Sequence, residues 1–286
     1  MRIIIVAGFV LLVAGVVLAL TAGGDTNGNR GGETVAAGFY PLAFAAQEIG
    51  GAGVEVDNLT PPGTEPHDLE PTPDDVQRLQ SADLVLLLGK GFQPSLERAA
   101  ESAGGRVLEL LDTPGLALQP EDPHVWLDPV RYEAVVEAIG RAMGNEAAAR
   151  RLVARLQALD RLYAHGLAHC RRRSIVTSHE AFGYLAERYG LTQVPISGIS
   201  PEAEPTPRDL QRVVDTVRET HATTVFTEPL VSPRLADAVA SETGARTAVL
   251  DPLEGLTSAE QAKGDDYFSL MRQNLAALED GLGCRS

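Results

Sequence analysis

The sequence has few cysteines, tryptophans and basic residues. The shortage of basic residues and the absence of two hydrolase motifs argue against particular classes of protein. Its 286 residues include two cysteines, one tryptophan and 24 basic residues against 39 acidic ones. The formal charge of −15 argues against nucleic-acid binding, which requires basic stripes, and against adhesion to anionic lipid. Neither an HExxH pattern nor a GxSxG turn occurs, so two common sequence signatures of hydrolases are missing.

A long hydrophobic run occupies residues 1–22, MRIIIVAGFVLLVAGVVLALTA, with one early arginine. This pattern is typical of a secretory signal peptide or of an uncleaved N-terminal membrane anchor, and both alternatives remain open. No cysteine lies near it, so a lipid-modified cysteine is not expected. Residues 23–33 are rich in glycine and asparagine and are predicted to form a flexible tether. The protein is therefore expected to be exported and to act outside the cytoplasm.

The two cysteines, Cys170 and Cys284, are far apart in the sequence. In an oxidising compartment, an even pair in an otherwise cysteine-free chain favours a disulfide, which would attach the C-terminal helix to the second half of the protein. The alternative is two unpaired thiols, because the sequence does not give the distance between their Cα atoms.

Short apolar strands alternate with amphipathic helices in two parts of the chain, residues 34–128 and 171–286. Such alternation predicts an α/β fold with mostly parallel sheets, one in each of two lobes. Residues 129–170 between them form a helical connecting segment, and we expect one long helix there. The sequence EPTP starts a predicted helix in each lobe, at residues 70–73 and 204–207, which suggests duplicated lobes; chance recurrence is the alternative.

Three of the six histidines lie in distinctive contexts: His67 in EPHDLEPTP, His124 in EDPHVWLDP and His179 in VTSHEAFGYL. Each follows a predicted strand, as does Asp251 in AVLDPLEG. Because the carboxyl ends of parallel strands line the crevice where α/β proteins bind ligands, we expect these four side chains to meet between the lobes. Three imidazoles and one carboxylate suit tetrahedral zinc. Glu228, at an equivalent strand end, is the alternative to Asp251.

A second histidine pair, His165 and His169, has the i, i+4 spacing of metal ligands on a helix. No glutamate completes an HExxH pattern there, and arginines follow the pair, so a solvated helix face is the favoured interpretation.

The motifs PHDLEPTP, DPHVWLDP, TSHEAFGYLAERYGL and TEPLVSPRLADAVA resemble those of the metal-receptor family of solute-binding proteins that serve zinc and manganese ABC importers. The similarity runs from about Thr34 to the C-terminus. It implies two Rossmann-like βα lobes joined by one long rigid helix, with the metal in the interlobe cleft. It also implies a monomer that delivers its ion to a membrane permease, held at the membrane by the N-terminal segment or by the permease itself. The family's ligand positions fall on His67, His124, His179 and Asp251.

The third of these positions distinguishes metals, because manganese receptors similar to this chain carry glutamate where it has His179. We therefore expect Zn²⁺ as the transported ligand, with Mn²⁺ or broad specificity as the alternative. The stretch DTPGLALQPED lacks the histidine-rich loop found in many zinc receptors. Two further alternatives are a metal-dependent adhesin and a zinc hydrolase. We expect no enzyme and no catalytic residue, because a fourth protein ligand leaves no open position for an activated water.

Overall fold

Two four-stranded parallel sheets organise residues 32–285, the part of the chain that the computed structural model describes. The first sheet consists of β1 Glu33–Ala37, β2 Val54–Asn58, β3 Leu84–Leu87 and β4 Arg106–Glu109. The second consists of β5 Ser174–Thr177, β6 Thr192–Pro195, β7 Thr224–Thr227 and β8 Arg246–Val249. Their strand orders, β2-β1-β3-β4 and β6-β5-β7-β8, are equivalent. The predicted α/β fold with two similar lobes is confirmed.

Ten α-helices occur within residues 32–285. They are α1 Tyr40–Gly50, α2 Pro73–Ser81, α3 Pro94–Ala100, α4 Pro129–Ala142, α5 Glu146–Gly166, α6 Gly183–Tyr189, α7 Pro207–Thr220, α8 Arg234–Thr243, α9 Ser258–Lys263 and α10 Tyr267–Leu282. Six of them, α2, α4, α5, α7, α9 and α10, begin at a residue whose side chain caps the helix. The two EPTP motifs have the same local structure. Thr72 caps α2 and Thr206 caps α7, each in a capping box with an aspartate three residues later and a proline at the helix start.

The connecting segment differs from the single predicted helix, because it contains two helices, α4 and α5. The chain breaks between them at Gly144, whose φ of 65° is left-handed, and Asn145 then caps α5 through the backbone N–H of Ala148. The two helices pack closely: a Cβ placed on Gly140 would lie 2.4 Å from the Cβ of Ala149. Both helices contact α1 of the first lobe, and α5, with 21 residues, also contacts α10 of the second lobe.

A hydrophobic core runs from one lobe to the other. It includes Val35 of β1 and Ile175 of β5. It also includes large side chains from the part of the sequence that connects the first sheet to the second. Tyr267, at the start of α10, donates its hydroxyl hydrogen to the carbonyl oxygen of Trp126 at 2.7 Å. Both side chains are fully buried. This packing fixes the last helix of the second lobe against the segment that follows β4.

The predicted disulfide between Cys170 and Cys284 is present. It joins Cys284, two residues after the end of α10, to the segment that leads into β5, so the C-terminal helix is attached covalently to the second lobe. The predicted signal or anchor at residues 1–22, and most of the predicted tether, lie outside the described residues. Between residues 32 and 285, no helix is both long and apolar enough to span a bilayer.

Candidate metal centre

Four buried side chains bring metal-binding atoms together between the two sheets. They are His67, His124, His179 and Glu254, and one ligand atom of each lies within 4.8 Å of those of the other three. The exposed fraction of Glu254 is 1%, and that of both His124 and His179 is 0%. His67 is 8% exposed and is the member of the group nearest to solvent.

Each of the four residues comes from a connection that follows a strand or leads into a helix. His67 lies between β2 and α2, and His124 precedes the short 3₁₀ turn Val125–Leu127 that leads into α4. His179 follows β5, and Glu254 follows β8. Two members of the group therefore come from each lobe, at the sheet edge where parallel α/β folds place their ligands. The three histidines predicted from the sequence do meet in the structure.

The Nε2 atoms of the three imidazoles surround one carboxylate oxygen. Glu254 Oε1 lies 3.2 Å from Nε2 of His67, 3.2 Å from Nε2 of His124 and 3.3 Å from Nε2 of His179. The Nε2 atoms of His124 and His179 are 3.4 Å apart. All four atoms thus lie around one point, which a single cation could occupy.

The Nδ1 atoms of His124 and His179 are each held by a carboxylate. Asp122 Oδ1 lies 2.8 Å from Nδ1 of His124 and also accepts its backbone N–H at 2.9 Å. Glu228 lies behind His179 in the same way, with Oε2 2.6 Å from Nδ1 and Oε1 accepting the backbone N–H at 3.0 Å. Each contact fixes the ring so that Nε2 points into the site and is free to bind a metal. Glu228 therefore orients a histidine and is not a member of the group.

His67 has a different setting. Its backbone N–H donates to Glu65 Oε1 at 3.1 Å, and its ring packs edge-on against Phe92, with centroids 4.5 Å apart. A cavity of about 300 Å³ lies beside it and is lined by residues that include Asp122 and Ile199. This cavity lies next to the most exposed member of the metal-binding group.

The site is strongly polarised in the absence of metal. Burial disfavours the charged form of His179, but the nearby carboxylates of Glu254 and Glu228 outweigh burial and raise its pKa to about 10. Burial also disfavours the charged form of His124, but the nearby carboxylates outweigh burial and raise the pKa of His124. Burial would raise the pKa of Glu254, but the three imidazoles hold it well below its usual range. The metal-free site therefore contains an ionised carboxylate beside two imidazoles, those of His124 and His179, whose pKa values are raised.

The structure differs from the expectation at the fourth position, because Asp251 is not a member of the group. Its Oδ1 accepts the backbone N–H of Leu253 at 2.7 Å, and its buried Oδ2 has no hydrogen-bond partner among residues 32–285. Burial, followed by the charges of nearby glutamates, raises the pKa of Asp251 to about 8. Leu253 is left-handed, with φ of 55°, and the chain turns there so that Glu254 enters the site.

Glu254 is the one member that sequence reasoning missed. The signal was present in the same motif, DPLEG, three residues beyond the expected aspartate. The convergence of strand ends favours Asp251 because it lies two residues beyond the end of β8. The turn at Leu253 cannot be predicted from a leucine, a residue that rarely adopts positive φ. The other histidine pair, His165 and His169, is exposed at the end of α5 and lies outside the group.

Residues 35–281 match the sequence model of the family described as zinc-uptake complex component A, periplasmic. The chain therefore belongs to this family, which is one of solute-binding proteins rather than enzymes. The family acts outside the cytoplasm and works with an ABC transporter permease. The chain is 34% identical over 312 residues to the high-affinity zinc uptake system protein ZnuA of Bacillus subtilis strain 168, covering 99% of this chain and 97% of that protein.

Solved structures have the same fold. The Zn(II)-bound ZnuA-like domain of Streptococcus pneumoniae AdcA is 33% identical, with a TM-score of 0.75 over 88% of this chain and 99% of that domain. The laminin-binding protein Lmb of Streptococcus agalactiae, described as bifunctional with adhesin and metal-transporting activity, is 31% identical, with a TM-score of 0.81 over 88% of this chain and 100% of Lmb. The chain spans only 54% of the length of the lipoprotein AdcA of S. pneumoniae.

Proposed function

We propose that this protein captures Zn²⁺ outside the cytoplasm and delivers it to an ABC permease for uptake. The spacing of the four ligand atoms carries this proposal. A tetrahedron with zinc–ligand bonds of about 2.0–2.1 Å has edges of about 3.3–3.4 Å. The four ligand-to-ligand distances around Glu254 Oε1 and the His124–His179 pair are 3.2, 3.2, 3.3 and 3.4 Å. These are four of the six edges of the ligand tetrahedron, and they match the dimensions of tetrahedral zinc; the remaining two edges, between His67 and the other two histidines, are within 4.8 Å.

We assign the fourth ligand to Glu254 rather than to Asp251, and the charge state of the two carboxyl groups supports this assignment. With its pKa well below the usual range, Glu254 is ionised at neutral pH and can bind a cation. With its pKa raised to about 8, Asp251 is mostly protonated at pH 7 in the metal-free protein. Metal ligands must be deprotonated, so Glu254 is the better ligand.

The donor set favours zinc over manganese. Three imidazole nitrogens and one carboxylate suit Zn²⁺, whereas Mn²⁺ prefers oxygen ligands and a larger coordination number. The names of the relatives agree, since ZnuA of B. subtilis and AdcA of S. pneumoniae are both named for zinc. With all four positions taken by protein atoms, no position remains for the activated water that a zinc hydrolase needs.

We also propose how the protein is exported and that it acts as a monomer. Residues 1–22 would direct export, either as a cleaved signal peptide or as an uncleaved anchor. The receptor would act as a monomer, since the group of four ligands is complete within one chain. Protein that fails to reach the extracytoplasmic fraction when residues 1–22 are deleted would support this role for the segment, and unchanged export would refute it.

The proposal is tested by deleting the gene and measuring ⁶⁵Zn²⁺ uptake in zinc-limited medium. We expect slow uptake and poor growth, both restored by the wild-type gene but not by Glu254→Ala. Complementation by Glu254→Ala as complete as that by the wild type would contradict the proposal. A deletion strain that takes up zinc normally but no longer adheres to a matrix protein would instead favour the adhesin alternative.

A further inference from the structure

The turn that carries Glu254 is held in place by groups that do not belong to the metal site. It spans residues 251–253, between the end of β8 and Glu254. Leu253 has φ of 55°, a left-handed conformation that non-glycine residues avoid unless their surroundings enforce it. Asp251 provides that enforcement, because its Oδ1 accepts the backbone N–H of Leu253 at 2.7 Å. This contact is an Asx-type turn, which mimics a backbone turn with a side chain.

Asn274 of α10 fixes the backbone of Asp251 on both sides. Its Oδ1 accepts the N–H of Asp251 at 2.8 Å, and its Nδ2 donates to the carbonyl oxygen of Asp251 at 2.6 Å. Asn274 is 2% exposed, so bulk water does not compete for either of these hydrogen bonds. A paired amide contact of this kind limits rotation and translation of the chain at the start of the turn.

The middle residue of the turn, Pro252, is hydrogen-bonded to the segment that carries a histidine of the site. Trp126 donates from Nε1 to the carbonyl oxygen of Pro252 at 2.7 Å, and Trp126 lies two residues after His124. The carboxylate and the histidine thus have a common support, although they come from different lobes.

We propose that Asp251 and Asn274 are positioning residues for metal capture: they hold the left-handed turn at Leu253 and thereby aim the Glu254 carboxylate at the three imidazoles. The inference rests on the proposed metal-binding function. Asp251 therefore acts as a hydrogen-bond acceptor rather than as a charge or a ligand. Outer partners that orient metal ligands typically contribute about 10- to 100-fold to metal affinity.

The test compares two substitutions at one position in the full-length, metal-stripped protein. Asp251→Asn retains an oxygen that can accept the Leu253 N–H, whereas Asp251→Ala removes it. We expect Asp251→Ala to weaken zinc binding by about 10- to 100-fold in a chelator-competition titration, with Asp251→Asn retaining most of the affinity. If Asp251 were a ligand, both substitutions would weaken binding strongly. Equal affinity of Asp251→Ala and the wild type would also overturn the inference.

A spectroscopic measurement keeps the test decisive if Asp251→Ala folds poorly. Co²⁺ in the site reports its coordination through d–d absorption, and Asp251→Asn should leave the wild-type spectrum unchanged. A changed spectrum would identify Asp251 as a ligand and refute the inference. For the second residue, Asn274→Leu should weaken zinc binding and alter the Co²⁺ spectrum, and an unchanged affinity would refute its assigned role.

The matched control is Leu275→Val, which removes one buried methylene group from the neighbouring position of α10. It should lower the melting temperature but leave the zinc affinity and the Co²⁺ spectrum unchanged, and loss of affinity in this control would attribute the Asn274 effect to general destabilisation. Absence of tight zinc binding in the wild type would refute the proposed function itself, which is a different result from equal affinities among the variants.

Discussion

Glu228 contacts His179 at two points: its Oε2 lies 2.6 Å from the ring Nδ1, and its Oε1 accepts the backbone N–H at 3.0 Å. The carboxylate thus fixes the ring orientation and leaves Nε2 as the free nitrogen. It also raises the basicity of the imidazole, which strengthens a bond to a metal. Glu228 follows β7 and His179 follows β5, which are adjacent strands, so the sheet itself sets their distance.

Replacing Glu228 by glutamine should weaken zinc binding by about 10- to 100-fold, because an amide is a weaker acceptor for the Nδ1–H and can present its NH₂ group instead. The measurement is a chelator-competition titration of the metal-stripped variant. Glu219→Gln is the control, since it removes the same charge from an exposed position of α7. Equal affinities of Glu228→Gln and Glu219→Gln would show that the paired contact does not contribute.

Replacing His179 by glutamate should change the metal preference. The variant exchanges one nitrogen for oxygen and places a second carboxylate beside Glu254, which favours harder cations. We expect the ratio of zinc affinity to manganese affinity to fall by about 100-fold or more, chiefly through loss of zinc binding. Titrations with both metals at one pH give this ratio, and an unchanged ratio would exclude His179 as a ligand.

Zinc binding should release protons. The pKa of His179 in the metal-free protein is raised to about 10, so this ring is protonated at pH 7 and must lose its proton to bind zinc. Zinc affinity should therefore rise by about tenfold per pH unit for each proton displaced, until the pH approaches 10. Calorimetry in two buffers of different ionisation enthalpy should give at least one released proton per ion. A binding enthalpy that is independent of the buffer would contradict this prediction.

The raised pKa of His179 also makes the stability of the metal-free protein depend on pH. This stability should fall as the pH rises, whereas the zinc affinity should increase. A histidine with a folded-state pKa above its unfolded value of about 6.5 contributes stability that is fully present below pH 6.5. This contribution is lost as the pH rises toward about 10, where His179 deprotonates. Urea unfolding of the metal-free protein should show decreasing stability across that window. Rising stability over the same range would show that the folded site does not hold the proton.

The disulfide should contribute to stability but not to metal binding. Cys170 and Cys284 close a loop with a sequence separation of 114 residues, for which chain-entropy arguments give about 4–5 kcal/mol. Neither cysteine belongs to the group of metal-binding residues. A variant with both cysteines replaced by serine should therefore lose about 2–5 kcal/mol of unfolding free energy, measured in denaturant, and retain its zinc affinity. A loss of zinc affinity would show that the C-terminal attachment supports the site.

Much of the fold could be predicted because its signals are local. Apolar runs such as LVLLL at β3 and Pro-started, Thr-capped helices at α2 and α7 reveal both their type and their approximate position. The break at Gly144 was harder to predict, because the sequences on both sides favour helix and the choice depends on how α4 packs against α5. Close approach of Gly140 to Ala149 is a tertiary contact that periodicity does not reveal.

The metal site likewise contains residues that the sequence predicts and one that it does not. His67, His124 and His179 were predicted because strand ends of a parallel sheet converge, and the structure brings them together. The fourth position depended on the backbone conformation of Leu253, which is determined by Asp251 and by the surrounding side chains. A nonlocal network therefore selected the carboxylate, and the simple strand-end rule pointed three residues too early.

Whether His67, His124, His179 and Glu254 form a zinc site can be measured by chelator-competition titration of the metal-stripped wild type and of Glu254→Gln. We predict that the wild type binds one equivalent of zinc with nanomolar or tighter affinity and binds manganese much more weakly. Glu254→Gln, which loses the charged oxygen, should bind zinc at least about 100-fold more weakly. Three results would refute this zinc site: no tight zinc binding by the wild type, comparable zinc and manganese affinities, or equal zinc affinity of Glu254→Gln and the wild type.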